Sequence, residues 1–371
     1  MLKAIAQMDH RHIIKLLVTY FYRGKYHLLF PYAASNLEDY WKSREVASWD
    51  CNPSLWAIEQ MKGLASGINK VHNFSVRQSL RPDPVSTNAN FNQASGSMLA
   101  IAVEPEAMRY GRHGDLKPEN ILWFEDSVGD KEGGILKITD FGLSKFHGRQ
   151  SRSAVEAAKA TADPTYEPPE IILNHPVSRA YDIWSLGCVF LEFITWRLGG
   201  SEKVRRFRSL RETFGGDSTT NSKFFTIMNY RGGANEKAVV RDEVSRWIEH
   251  LLQHPRCSNS TSTYDLLVLV RDQMLVVQRS ERILSGDLET RLLQIQENAR
   301  RDESYLLGQV TEEALSAWES QEPRSRLGGQ LSPDFQPSIS SHRSVYDVGR
   351  SSVPQGPERP IPEIKFTRPS L

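Results

Sequence analysis

The chain has 371 residues, 39% of them hydrophobic, which allows a sizeable core and up to two domains. Its 46 lysines and arginines nearly cancel 45 aspartates and glutamates, and a net charge of +1 gives no reason to expect nucleic acid or an anionic membrane as the main partner. Three scattered cysteines (Cys51, Cys188, Cys257) suggest neither a disulfide framework nor a zinc site. No apolar run approaches the ~20 residues that span a bilayer, and the first residues lack the uninterrupted apolar core of a signal peptide. Cytoplasm or nucleus is the expected compartment.

In chain order, residues 13–30 read as a β-hairpin. IIKLLVTYFY is rich in β-branched and aromatic residues, Arg23-Gly24-Lys25 supplies the turn, and YHLLF returns. Asn52-Pro53 reads as a helix N-cap followed by proline at the first helical position. Behind it Leu55, Ile58, Met61, Leu64, Ala65, Ile68 and Val71 recur at helical spacing, predicting an amphipathic helix that ends near His72. Residues 75–100, dominated by Asn, Ser, Pro and Gln, read as an inserted surface loop. ILWF (121–124) and ILKIT (135–139) predict two short strands. Residues 180–198 are apolar on every face, the pattern of a helix buried in a core, and Gly199-Gly200 is expected to stop it. The stretch 200–262 carries no clear pattern. Two helices are expected near 264–277 and 286–297. From about residue 320 the composition shifts to Ser, Pro, Arg and Gly, as in a disordered tail; its Ser332-Pro333 step and the proline-rich stretch Pro357 to Pro362, including Arg359, read as solvated chain. No internal repeat is present. The pattern is that of a mixed α+β protein, helix-rich behind a short β front.

The chemistry concentrates in His113-Gly114-Asp115-Leu116-Lys117-Pro118-Glu119-Asn120, followed twenty residues after Asn120 by Asp140-Phe141-Gly142. Two carboxylates, an amide and a lysine on loops beside short strands suit phosphoryl transfer assisted by Mg²⁺, a cation content with one or two carboxylates plus phosphate oxygens. These residues resemble the catalytic and magnesium loops of eukaryotic protein kinases. The resemblance implies that Asp115 accepts the proton of the substrate hydroxyl, that Lys117 lies near the γ-phosphate of ATP, and that Asn120 and Asp140 hold Mg²⁺. Leu122 would form the floor under the adenine. Lysine at 117 is the serine/threonine form. Pro168-Pro169-Glu170 resembles the kinase Ala-Pro-Glu motif, and Asp182 to Gly187 resembles the start of the family's buried central helix. There the aspartate accepts hydrogen bonds from the catalytic-loop backbone. Arg282 stands where a kinase arginine pairs with the glutamate, here Glu170.

The front half matches as well. Residues 1–22 resemble the end of the αC helix and the strand after it, Phe30 falls at the gatekeeper, and Pro31, Tyr32 and Ala33 at the hinge. The Pro31 carbonyl and the Ala33 N–H would meet adenine. The resemblance covers roughly residues 1–300, and wording such as GRHGDLKPENILWF is similar to predicted kinases of filamentous fungi. The implied fold is bilobal: residues 1–33 a remnant of the small lobe lacking its first strands, 34–300 a complete helical large lobe with an insertion at about 75–112, and 301–371 a mostly disordered tail. The family's glycine-rich loop and ATP-anchoring lysine precede αC, so no residue here takes those roles; Lys3 and Lys15 are not substitutes, and the αC glutamate would fall at about Met1 or earlier. A two-stranded remnant is marginal alone, and its open edge (Leu16, Leu17, Val18, Phe21) invites aggregation. Either a longer parent chain or a partner is expected to complete it.

The resemblance implies a protein serine/threonine kinase acting with ATP and Mg²⁺ on a protein substrate. The alternative is a pseudokinase that binds without transferring. A small-molecule phosphotransferase of the aminoglycoside-kinase type shares the His-Gly-Asp loop, but Lys117, Gly142 and the Pro168 to Gly187 segment oppose it. Gly114 replaces an arginine that, in regulated kinases, grips a phosphate on the activation segment. Catalysis is therefore expected not to depend on phosphorylation of Ser151, Ser153, Thr161 or Thr165. Thr165 adjoins Tyr166, where many serine/threonine kinases place a threonine three residues earlier.

Overall fold

The structure, a computed structural model, describes residues 8–44, 48–74, 110–125, 133–141, 145–147, 164–214, 220–229 and 236–320. Several expectations lie outside these residues: the αC remnant before residue 8, the loop at 75–100, Gly142, the hydroxyls of Ser151, Ser153 and Thr161, and the tail beyond residue 320.

The front hairpin pairs β1 (Val18–Tyr22) with β2 (Lys25–Leu29) in antiparallel register, Tyr22 opposite Lys25. The two-residue turn between them has positive φ at Arg23 (47°) and Gly24 (78°). That backbone matches the right-handed twist of a tight hairpin, which is why a glycine sits there. Before it, Ile13 and Ile14 are buried, and Ile14 N–H donates to Ile138 O at 2.9 Å.

A three-stranded sheet, order β3-β5-β6, carries the middle of the chain: β3 is Ser35–Asn36, β5 Ile121–Phe124 and β6 Ile135–Ile138. Asn36 then caps α1 (Leu37–Ser43), its side chain accepting from Asp39 N–H at 2.8 Å. The long α2 (Cys51–His72) presents the expected apolar face, with Ile58, Met61, Leu64, Ala65, Ile68 and Val71 buried. Its start corrects the sequence reading. Asp50, not Asn52, is the N-cap, and Pro53 lies two residues inside the helix. Proline is tolerated throughout a first turn because those N–H groups have no intrahelical partner. Strand β4 (Tyr110–Arg112) pairs with β7 (Lys145–His147), so the end of the supposed insertion, residues 110–112, belongs to the folded body.

After the single turn α3 (Pro169–Ile172), the helical run α4 (Ala180–Arg211) forms the spine of the core. Every residue from Tyr181 to Leu198 is buried, as the all-round apolar pattern requires. Gly199 and Gly200 break the run as expected, Gly200 at φ 73°, and a second helical stretch ends at Arg211. Short β8 (Thr213–Phe214) pairs with β9 (Thr220–Asn221), and β10 (Phe225–Asn229) with β11 (Glu236–Val240). Then come α5 (Asp242–Leu252), α6 (Ser262–Leu269) running into a π-turn at Val270–Met274, and α7 (Ser285–Arg301). Two further helices, α8 (Glu303–Leu307) and α9 (Glu312–Glu319), lie in the segment expected to be tail. The second docks there because Trp318 is buried against His250, ring centroids 4.4 Å apart. The architecture is α+β, with small sheets on a helix-rich body. Among the described residues no helix is long and apolar enough to cross a membrane.

Candidate active site

The loop between β4 and β5 is tied down by one buried carboxylate. Asp182, at the start of α4, accepts from His113 N–H at 2.9 Å and Gly114 N–H at 2.8 Å, as the resemblance implied. It also accepts from His72 Nε2–H at 2.8 Å, a partner the sequence did not reveal. Burial alone would push the Asp182 carboxyl up; the His72 hydrogen bond and charge, helped by His113 and the Gly114 N–H, hold it below its ordinary value. Gly114 adopts φ 83°, where a side chain would be strained. His113 is fully buried. Its Nε2 lies 2.8 Å from Thr139 O and so donates, leaving Nδ1 to accept from Asp115 N–H at 3.2 Å. Its ring also meets Phe141 edge-on at 4.9 Å.

These contacts fix Asp115, Lys117 and Asn120 in one turn. Asn120 Nδ2 donates to Asp115 Oδ2 and to Asp115 O, both at 2.8 Å, and Lys117 Nζ lies 3.5 Å from Asp115 Oδ2. Asn120 O accepts from Thr139 N–H at 2.9 Å, which brings Asp140 beside the turn. Asp140 is exposed and has φ 57°, a left-handed backbone uncommon outside glycine and met most often at functional sites. Four sequence-predicted residues thus lie on one turn and on the backbone hydrogen-bonded to it: two carboxylates, an ammonium and an amide.

The residues expected at the adenine lie just before β3. Phe30 packs half-buried against the core, Pro31 and Ala33 are half-buried, and Tyr32 is exposed. Ala34 N–H donates to Trp123 O at 3.0 Å, and Asn36 pairs with Leu122 across β3 and β5. The segment 30–34 therefore runs into β3, the neighbour of the strand that carries Leu122.

Behind the site, Arg282 grips Glu170 with two bonds of 2.7 Å, and Arg282 also donates to Ala180 O, Val276 O and Val277 O. This pair was legible in the sequence. A second network was not. Glu192, fully buried on α4, accepts from Tyr166 Oη at 2.9 Å, Arg208 NH2 at 2.7 Å and Arg211 NH2 at 2.9 Å. Arg208 reaches on to Glu38 with two bonds of 2.7 Å. Burial would raise the Glu192 carboxyl, but Arg208 and Arg211 hold it low. The signal available was only a glutamate inside an otherwise apolar helix, a position that demands cationic partners.

The family profile described as the protein kinase domain matches residues 111–260. Similar proteins include serine/threonine-protein kinase 17A of Oryctolagus cuniculus, 28% identical over 207 residues, covering 55% of this chain and 47% of that protein. Serine/threonine-protein kinase nekl-2 of Caenorhabditis elegans is 39% identical over 82 residues, 22% of this chain and 20% of that protein. MAP kinase kinase kinase win1 of Schizosaccharomyces pombe is 37% identical over 109 residues, 22% of this chain and 7% of that protein. The chain spans less than half the length of each of these relatives. Residues 111–260 thus carry a protein kinase domain.

Proposed function

We propose that the chain transfers the γ-phosphate of ATP to a serine or threonine hydroxyl of a protein. The observation that carries this reading is the turn in which Asn120 bridges to the Asp115 carboxylate while Lys117 stands 3.5 Å from it. The Asp115 carboxylate would accept the proton of an attacking hydroxyl, and its hydrogen bond from the Asn120 amide supports that role. Lys117 adds a positive charge on the same side for the transferring group. Asp140 and the oxygen of Asn120 would be the donor set for Mg²⁺: one carboxylate and one amide oxygen on backbones joined by the Thr139–Asn120 hydrogen bond suit a hard cation that completes its shell with phosphate and water. Bound there, the cation would neutralise charge on the phosphates. Phe30, Pro31, Ala33 and Leu122 would hold the adenine, the Ala33 N–H and the Pro31 carbonyl by hydrogen bonds and the others by packing.

The test is phosphotransfer by the full chain with MgATP and a protein acceptor. Asp115→Asn is expected to lower kcat by about 10²–10⁴-fold, the usual worth of a general base, while MgATP still binds. Asp140→Asn is expected to weaken MgATP binding and abolish transfer together. MgATP binding with no transfer in the unaltered chain would favour the pseudokinase reading instead. Transfer to a small alcohol but to no protein would overturn the protein-acceptor assignment.

A further inference from the structure

The four residues Pro164 to Glu167 lead from the catalytic side into α3. Each meets one short stretch, Ser222 to Phe224, that precedes β10. Lys223 Nζ donates to Pro164 O at 3.0 Å and pairs with Glu167 Oε2 at 3.2 Å. The Thr165 and Ser222 hydroxyls are 2.9 Å apart. The Tyr166 ring faces Phe224 at 6.2 Å. From the opposite side α4 holds the same segment: Ser185 Oγ donates to Tyr166 O at 2.8 Å, and Tyr166 Oη donates to Glu192.

The contacts are not an ordinary surface ion pair. The Lys223 and Glu167 side chains are only 15% and 10% exposed. Removing the ammonium would leave a nearly buried carboxylate without this cation, which costs far more than breaking an exposed pair. The stretch is itself braced. Phe224 is fully buried between Phe207 and the Arg211 guanidinium, 3.9 Å from its ring, and its carbonyl accepts from Arg241 N–H at 3.0 Å. The segment it holds borders the catalytic loop. The first turns of α4 join the two: Ser185 holds Tyr166 O, and Asp182, three residues earlier, holds the His113 and Gly114 N–H groups.

We propose that Ser222 and Lys223 are positioning residues for the acceptor. They hold Pro164–Glu167 as one wall of the groove in which the protein hydroxyl lies, so that acceptor binding depends on them and nucleotide binding does not. This rests on the kinase reading above. It also gives a physical basis for a segment that is held in place without a phosphate: an ion pair, a hydroxyl contact and a ring contact already fix it, and Gly114 offers no cation to a phosphate.

The test compares Lys223→Met, Lys223→Arg and Ser222→Ala with the unaltered full chain, in two readouts. Amide hydrogen exchange at residues 165–167 is expected to quicken about tenfold in Lys223→Met while residues 183–198 stay protected, and Lys223→Arg is expected to restore it. With casein as acceptor and MgATP as donor, Lys223→Met is expected to raise the KM for casein about tenfold and the KM for MgATP less than about twofold. Ser222→Ala is expected to act in the same direction with a smaller effect. Equal losses on both KM values, or faster exchange throughout α4, would reduce Lys223 to a general stabiliser and overturn the proposal. If the unaltered chain transfers nothing to casein, the kinase reading fails by itself. The exchange data then still decide the strut: local protection lost in Lys223→Met and regained in Lys223→Arg upholds it, and unchanged protection sinks it.

Discussion

The front hairpin and the helical body solve opposite problems with similar residues. Val18, Tyr20, Phe21, Tyr22, Tyr26 and Leu29 on β1 and β2 are about half exposed or more, and every residue of β1 is exposed. On α4 residues of the same kinds are buried without a gap from Tyr181 to Leu198. The difference teaches that turn chemistry and cross-strand pairing set the register of a hairpin from β-rich apolar sequence, but do not make a core. A core needs a second layer, and α4 has one on every side. The joint between the two regions is the stretch His10 to Ile14. The His12 ring sits over Gly63 of α2, where an added Cβ would lie 2.1 Å from it, and His12 Nδ1 lies 2.9 Å from Leu136 O.

The largest effect expected is on the body. Arg282→Met removes the partner of a carboxylate that is 2% exposed. It should cost about 3–5 kcal/mol, the price of leaving a buried charge uncompensated, read as a lower urea midpoint. A loss under about 1 kcal/mol would mean that Glu170 finds another partner in the body.

Next is Asp182→Asn. The amide keeps the shape but cannot accept from His72, His113 and Gly114 together. A loss of about 2–3 kcal/mol is expected, with faster amide exchange at residues 113 and 114. Unchanged exchange there would show that the loop between β4 and β5 is held by other contacts.

The joint should respond to pH. Burial, then the charges of His10, Arg11 and Lys62, lower the His12 pKa to about 4, against the pull of its bond to Leu136 O. A group with a depressed folded pKa is stabilised in its neutral form. The stability it protects is intact above about pH 6.5 and falls as pH drops toward 4, by about 2 kcal/mol at pH 5. His10 is lowered as well, by burial and by Lys70 and Lys62, while Glu289 and Asp9 oppose the shift. In His12→Asn the amide nitrogen can replace Nδ1 but does not titrate, so the difference in urea midpoint between pH 7.5 and pH 5 should shrink. An unchanged difference would move the titration elsewhere.

The smallest effect is on the hairpin. Phe21→Ser, at a residue 62% exposed, should change stability by less than about 0.5 kcal/mol and improve solubility. A loss of several times that would mean that β1 is covered in solution.

Much of this was legible in the sequence for physical reasons. The hairpin turn needed positive φ, and Arg23-Gly24 announced it. The α4 spine was visible because a helix apolar all round has nowhere to go but inside. That Asp115, Lys117, Asn120 and Asp140 lie near one another was legible because their spacing is set by one loop and one strand pair, which are local. The Glu170–Arg282 pair spans 112 residues and was readable only through family resemblance. Helix α5 went unread although Val244, Trp247, Ile248 and Leu251 recur at helical spacing, because the hairpins before it blurred the pattern.

The chain by itself thus determined most of the helices and strands and the local grouping of the candidate residues, since turn preferences, periodicity and motif spacing act over a few residues. Only the tertiary structure decided which charges share a site. It joined His72 to Asp182, Glu38 to Arg208 and Glu192, and Lys223 to Glu167. Such pairings depend on how helices pack, and packing follows from the whole apolar surface of each helix, not from any neighbouring residue.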